Sequence, residues 1–448
     1  MVDLPDLVLP ARVPTPGTRN VAALVKFNER RIEAEYAAVV RRPIEVVGIV
    51  GAGTMGGSIA AATVRAGLPV VITDHDAGAL ETLPRRMLAE SLAAADPPFE
   101  RDRAPDSLVR QTANPSEFEQ CDLIVEALVE DFFVKERELV ELERRLPIDT
   151  VLGSNTSTLS IGRLAARLVR PGRFCGIHFF PPVSQRRLVE IVPGPQSSPA
   201  TVAAAVAFAL ALGKVPLIVP DTPGFLVNRL MLFYLSEALQ LLTEGATIEA
   251  VERTATDFGM AIGPLSLIDQ IGLDVILDCG WVLAGTLGER LVPSPPLVAM
   301  VKSRRLGQKS GAGFYSYHDD GNRRVAGKPD PAAQEIFARW GRPQQAHSCQ
   351  SIAARLFLPM LVEATRLLAE GRIRDPRDID LAVVFSCLGF PAARGGLLYW
   401  ADTLRASRIV AMLEPLAKLG PRAQPTPLLL AMAEGERRFY PVESDEGL

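Results

Sequence analysis

The sequence predicts an α/β domain with a mainly parallel, doubly wound sheet, followed by two duplicated all-α domains. Strand-like apolar runs alternate with helical patterns from residue 44 to about 220, as parallel strands joined by helical crossovers do. After Pro223 the apolar period becomes that of helices and remains so. Within that half, "RLMLFYLSEALQLLTEG" at 229–245 recurs as "RLFLPMLVEATRLLAEG" at 355–371, an offset of 126 residues. Gly-Pro and Gly-Phe-Pro turns follow in the same order ("MAIGPLSLID", "LGFPAARGG"). Duplication explains this better than chance, and two copies are too few for a solenoid.

The elements follow in chain order. Residues 1–20 are Pro-rich and expected to be extended, and 21–41 carry apolar residues at helical spacing, an amphipathic helix. Together they form an N-terminal extension, 1–43. The α/β domain spans 44–220, with strands read in "IEVVGIVG", "PVVITD", "CDLIVEAL", "DTVLGSN", "RFCGIHFF", "RLVEIV" and "VPLIVP". The first helical copy is expected at 221–318, a polar linker at 319–348 and the second copy at 349–448. The apolar stretch "VAAAVAFALALGKVPLIV" is broken by Gly213, Lys214 and Pro216, so it reads as a buried helix and a strand rather than a membrane span.

A net charge of −4 gives no footprint of a nucleic-acid binder. The five cysteines are scattered and form no C-x-x-C pair, which argues against a disulfide framework and a metal site. No basic segment followed by an apolar one opens the chain, so a cytoplasmic location and no membrane association are expected.

"VVGIVGAGTMGGSIAAATVRAG" contains G-x-G-x-x-G as Gly51, Gly53 and Gly56, between a strand and a small-residue helix. Gly51 permits the tight turn, Gly53 lets the backbone approach a pyrophosphate, and Gly56 brings helix and sheet together. "PVVITD" ends in Asp74, 21 residues after Gly53, placed to accept hydrogen bonds from ribose hydroxyls. A carboxylate there repels a 2′-phosphate, so the domain reads as Rossmann-like and NAD-binding rather than NADP-binding. FAD, which shares the fingerprint, is less favoured because no further flavin pattern occurs.

Oxidising a hydroxyl with such a cofactor needs a general base and polar groups holding the oxygen. Ser157 and His178 fall at strand ends, Glu190 in "LVEIV" is able to orient an imidazole, and Asn228 opens a long helix. Taken singly, each has a structural reading: a cap, a core histidine, an ion-pair partner, a second cap. Beside a dinucleotide fingerprint the catalytic reading is the better one.

These stretches, with "CDLIVEALVEDFFVK", "SNTSTLSI", "GIHFF", "DTPGFLVNRLM" and "GQKSGAGFY", resemble the L-3-hydroxyacyl-CoA dehydrogenase family over about 44–317. The duplicated part resembles the dehydrogenase portion of bifunctional fatty-acid β-oxidation enzymes. The resemblance implies catalytic roles for Ser157, His178, Glu190 and Asn228. It implies cofactor contacts from Gly51, Gly53, Thr54, Met55, Gly56, Asp74, Glu130 and Lys135, with an acyl-CoA thioester as substrate. A second copy lacking the asparagine, with Ala354 at the matching place, is expected to be structural.

Three departures stand out. Pro181 replaces the family's asparagine after "HFF". The segment after Asp74 is interrupted by proline where the family has a Lys-rich arm near CoA, leaving Arg85, Arg86, Arg101 and Arg103 either to meet phosphates or to be solvated. The enoyl-CoA hydratase portion is absent, so the N-terminal helix either packs back on its own chain, which is favoured, or docks a separate hydratase. A homodimer through the helical domains is a further expectation. The rival functions are oxidation of another 3-hydroxy acid or sugar acid, and a non-catalytic NAD-binding scaffold.

Overall fold

Eight strands form one sheet in the order β3-β2-β1-β4-β5-β6-β7-β8. They are β1 Val47–Val50, β2 Val70–Thr73, β3 Val109–Gln111, β4 Leu123–Glu126, β5 Val151–Ser154, β6 Phe174–Phe179, β7 Leu188–Pro193 and β8 Val215–Ile218. Strands β1 to β6 run parallel. β7 turns back antiparallel on β6, and β8 runs with β7. The chain goes from β1 outward to β3 and then returns to the other side of β1 as β4, which makes the β1–β4 boundary a switch point, the place where open α/β sheets bind ligands.

This computed structural model describes residues 15–36, 39, 43–92, 108–319, 324–341 and 347–440. The chain divides into an α/β unit, Val25–Phe225 with 385–387, and a helical unit holding the remainder. In the α/β unit Ile49, Ile59, Val125, Ile177, Ile191 and Val206 form part of one core. Each such side chain contributes roughly 1.5–3 kcal/mol by leaving water. Helices on both faces explain why the strands read as unbroken apolar runs instead of alternating ones.

The N-terminal helix spans Pro16–Tyr36, starting earlier than the expected residue 21; residues 37, 38, 40 and 41 lie outside the described residues. It starts early because Pro16 fits the first helical position and the Thr15 hydroxyl accepts from the Thr18 N–H at 3.2 Å. Its later half joins the α/β core through Ile32 and Tyr36, and buried Asn28 donates to the Pro216 carbonyl at 2.8 Å. In the helical unit, Thr15 and Asn20 donate to the carbonyls of Ala393 and Gly395. Thus the helix packs on its own chain.

The helical unit contains the long helices Val227–Thr243 and Cys349–Ala369. The duplication shows in their ion pairs. Arg229 meets Glu363 and Glu370, while Arg355, its equivalent 126 residues on, meets Glu237 and Glu244. Acids repeat as well: buried Asp269 accepts from the N–H groups of Phe314 and Tyr315, and half-buried Asp402 from those of Phe439 and Tyr440. The span 319–348, expected as a linker, holds regular structure. β9 (Tyr315–Asp319) and β10 (Arg324–Pro329) form a hairpin, followed by the helix Pro331–Arg339. Asp330 caps that helix and pairs with Arg305, and Phe337 packs on Phe314, so these residues belong to the first copy. Among the described residues no single helix is long and apolar enough to cross a membrane.

Candidate active site

The glycine turn sits at the end of β1. Gly51 has φ +107°, the left-handed region that favours glycine, and a Cβ there would strike the Ala127 carbonyl at 2.6 Å. A Cβ on Gly56 would lie 1.8 Å from the Gly51 carbonyl oxygen, whereas one on Gly53 would meet nothing within 4 Å. Gly56 therefore serves packing, and Gly53 leaves open space beside the first turn of the helix Thr54–Arg65, where Thr54 and Met55 lie. Asp74 ties the turn down, accepting from Ala52 N–H at 2.6 Å and Asp76 N–H at 2.8 Å. Its oxygens retain lone pairs for ribose hydroxyls. These residues fit a dinucleotide.

His178 lies near the end of β6, and antiparallel register sets it directly opposite Glu190 of β7. The imidazole Nδ1 is 2.8 Å from Glu190 Oε2, and both residues are buried. An ionised carboxylate only accepts, so Nδ1 carries the hydrogen and Nε2 keeps a lone pair for a substrate proton. The rings of Phe180 and Phe225 lie 4.4 and 5.7 Å from the imidazole. Phe225 holds φ +49° in the turn leading out of the unit, a strained backbone at a site-lining residue. Asn155 accepts from the Phe179 N–H at 2.8 Å and so fixes the end of β6 to the end of β5.

A second charged cluster stands on the same sheet edge. Lys135, buried, donates to Glu126 Oε1 at 2.7 Å and lies 3.6 Å from Glu130. Ser154 donates to the other Glu126 oxygen at 2.6 Å. Glu130 Oε1 accepts from the Thr156 hydroxyl at 2.7 Å and from the N–H groups of Ser157 and Thr158, both at 2.9 Å. Burial pushes the Glu130 carboxyl up, but Lys135 and these donors outweigh it and hold the group below its ordinary value. Glu130 thereby positions the Ser157 backbone. By contrast, burial pushes the Cys121 and Cys175 thiols up to about 12, so neither is a nucleophile at neutral pH.

The residues 46–222 match the family model of the 3-hydroxyacyl-CoA dehydrogenase NAD-binding domain, and 224–317 match that of its C-terminal domain. The (S)-3-hydroxybutyryl-CoA dehydrogenase PaaH1 of Ralstonia eutropha is 35% identical, over 62% of this chain and 100% of its own, with a TM-score of 0.57. The chain belongs to the 3-hydroxyacyl-CoA dehydrogenase family. The 3-hydroxybutyryl-CoA dehydrogenase of Escherichia coli K12 is 25% identical over 88% of this chain and 99% of its own, with a TM-score of 0.73. The dehydrogenase part of multifunctional enzyme 1 from C. elegans shares the fold: 24% identity, 93% and 99% coverage, and a TM-score of 0.63. As a 3-hydroxyacyl-CoA dehydrogenase the chain is an NAD-dependent oxidoreductase.

Within this 3-hydroxyacyl-CoA dehydrogenase the structure gathers Gly51, Asp74, Glu130, Lys135, Ser157, His178 and Glu190 in the α/β unit, most of them at the carboxyl ends of β1 to β6. Asn228 lies in the first turn of Val227–Thr243, in the helical unit, and is buried. Sequence reasoning missed Glu126, Ser154, Asn155, Phe180 and Phe225. Glu126 had a legible signal, a lone acid closing the apolar run "LIVE" nine residues before a lysine. Arg86 donates to the carbonyls of Ala52 and Ala79 and braces the glycine turn, while Arg85 is exposed. Arg101 and Arg103 lie outside the described residues.

Proposed function

We propose that this enzyme oxidises L-3-hydroxyacyl-CoA to 3-ketoacyl-CoA in a cytoplasmic, fatty-acid β-oxidation type of reaction. The observation that supports the reading best is the His178–Glu190 pair, held at 2.8 Å on the sheet edge that carries the dinucleotide turn. NAD, which the Gly51–Gly56 turn and Asp74 would hold, would supply the hydride acceptor for C3. His178 Nε2 takes the 3-hydroxyl proton, and Glu190 stabilises the imidazolium that results. Ser157 and Asn228 are assigned hydrogen bonds to the substrate oxygens. Glu130 and Lys135 are assigned to the nicotinamide side. The substrate would be supplied by hydration of an enoyl-CoA.

Short-chain thioesters are the first substrates to try, since the 35%-identical relative is named for 3-hydroxybutyryl-CoA. Pro181, without a backbone N–H or a polar side chain, is where specificity would depart from the family. The test is loss of NADH absorbance with 3-ketoacyl-CoA thioesters of short and long chain, beside His178→Ala. Turnover that falls by on the order of 10²–10⁴ in the variant is expected. NADH binding without turnover on any thioester would overturn the proposal and favour another 3-hydroxy acid or a scaffold.

A further inference from the structure

The helical unit contains a cavity of about 500 Å³ whose lining includes none of the residues assigned to the reaction above. It lies among the helices Val227–Thr243, Leu273–Leu287 and Pro295–Lys302 of the first copy. Its wall is nearly all apolar, including Leu232, Leu239, Ile276, Leu297 and the rings of Trp281 and Trp340. The size is that of a small-molecule site.

Three polar features interrupt this wall, and they are not alike. Ser236 is engaged, donating to the Val292 carbonyl at 3.2 Å. Ser294 is 7% exposed, and its hydroxyl meets no partner among the described residues, although it precedes a helix whose N–H groups it does not cap. A buried hydroxyl without a partner is unfavourable unless a ligand supplies one. Lys302, in the last turn of the same helix, is the one charged side chain among the described lining residues, and it is exposed.

An apolar chamber with a single cation at its edge matches an unbranched chain bearing one anionic head. We propose that this cavity binds a fatty acid, its hydrocarbon chain among the leucines and tryptophans and its carboxylate toward Lys302. The site is complete within the helical unit and does not depend on the reaction assigned above. A carboxylate near Lys302 stays ionised and keeps water at the mouth. Methylenes inside are removed from water, each tightening binding about threefold to fourfold.

The protein reports on itself, because two of its three tryptophans line the cavity and the third, Trp400, is buried elsewhere. The full chain would be titrated with decanoate, laurate and myristate below their micelle concentrations while tryptophan emission is followed. A saturable blue shift with one-to-one stoichiometry is expected, with affinity rising threefold to fourfold per methylene until the chamber fills. Gly280 supplies the structural control: a Cβ there would meet nothing within 4 Å, so Gly280→Leu builds into open space and improves helix propensity. That variant should melt normally and bind laurate at least tenfold more weakly. Lys302→Glu should weaken laurate at least fivefold and leave dodecanol unchanged.

No saturable shift in the wild type would overturn the proposal, as would laurate binding that survives in Gly280→Leu. If acyl-CoA substrates compete with laurate, and Gly280→Leu raises KM for long thioesters alone, the cavity belongs to the substrate's own tail, and a separate fatty-acid site is excluded.

Discussion

The two units bury acids against cations in different ways. In the α/β unit Glu190 faces His178 and Glu126 faces Lys135. In the helical unit Glu363 faces Arg229, and Glu237 faces Arg355 and Arg422. Histidine and lysine can release a proton, and their charge responds to surroundings, whereas a guanidinium stays charged at every accessible pH. The sheet edge thus holds partners whose protonation can change during a reaction. The duplicated helices hold permanent charges that clamp one copy to the other. Geometry alone does not distinguish them, since both kinds of pair are short and dry; the chemistry of the cation does.

The contrast can be broken by mutation, starting with the largest effect. Replacing His178 with glutamine, whose amide can still donate to buried Glu190, should lower kcat by on the order of 10²–10⁴ while the melting temperature changes little. A variant that unfolds, or one that keeps its rate, would end the distinction. Arg355→Ala should do the reverse. It takes the guanidinium from Glu244 and leaves Glu237 with Arg422 alone, and removing one partner of a buried pair destabilises by about 3–5 kcal/mol. Urea unfolding measures this, and the folded fraction should retain its rate per active site.

The two copies can be compared with each other. Asn228→Ala should reduce kcat/KM by roughly tenfold to a hundredfold, the scale of one lost hydrogen bond to a developing charge. Ala354→Asn, at the matching place in the second copy, should shift activity and stability by no more than about 0.5 kcal/mol. Equal effects at both positions would mean that the second copy is more than structural.

The gentlest probe is pH. Burial raises Asp269 to about 6 and Asp380 to about 7 in the helical unit, although backbone N–H groups and a tyrosine hydroxyl oppose the rise in each. Both groups bind protons more tightly folded than unfolded, so their contribution to stability falls as pH rises from about 4 toward 7. Glu130 in the α/β unit is shifted the other way: its contribution is present above its ordinary value near 4.5 and is lost as pH falls through the lowered folded one. Hydrogen exchange followed by peptide should therefore show the helical unit gaining protection relative to the α/β unit between pH 7.5 and 5. Parallel changes in both units would contradict these opposite shifts.

Much of the fold was legible because it rests on local rules. Continuous apolar strands, the helical period after Pro223 and the repeated pattern at 229 and 355 need only neighbours within a few residues. The start of the N-terminal helix was misplaced, because the Pro-rich composition of residues 1–20 outweighed the Thr15–Pro16 start signal. The span 319–348 read as a linker because its turn residues hide a hairpin held by Phe314–Phe337 packing and the Arg305–Asp330 pair. The Gly51, Gly53 and Gly56 turn was readable since each glycine answers a backbone demand of its own. Phe180 and Phe225 carried no signal, as apolar residues in apolar surroundings look like core in a sequence.

By itself the sequence determined the dinucleotide turn, the order of elements, the duplication and the residue types available for proton transfer. Only the tertiary structure decided which partners meet. The register of β6 on β7 set His178 opposite Glu190, and helix packing brought Arg229 to Glu363, 134 residues away. It also left the chamber beside Ser294 unfilled. The physical reason is range: backbone conformation answers to adjacent residues, whereas ion pairing and packing volume depend on surfaces that the chain brings together only when it folds.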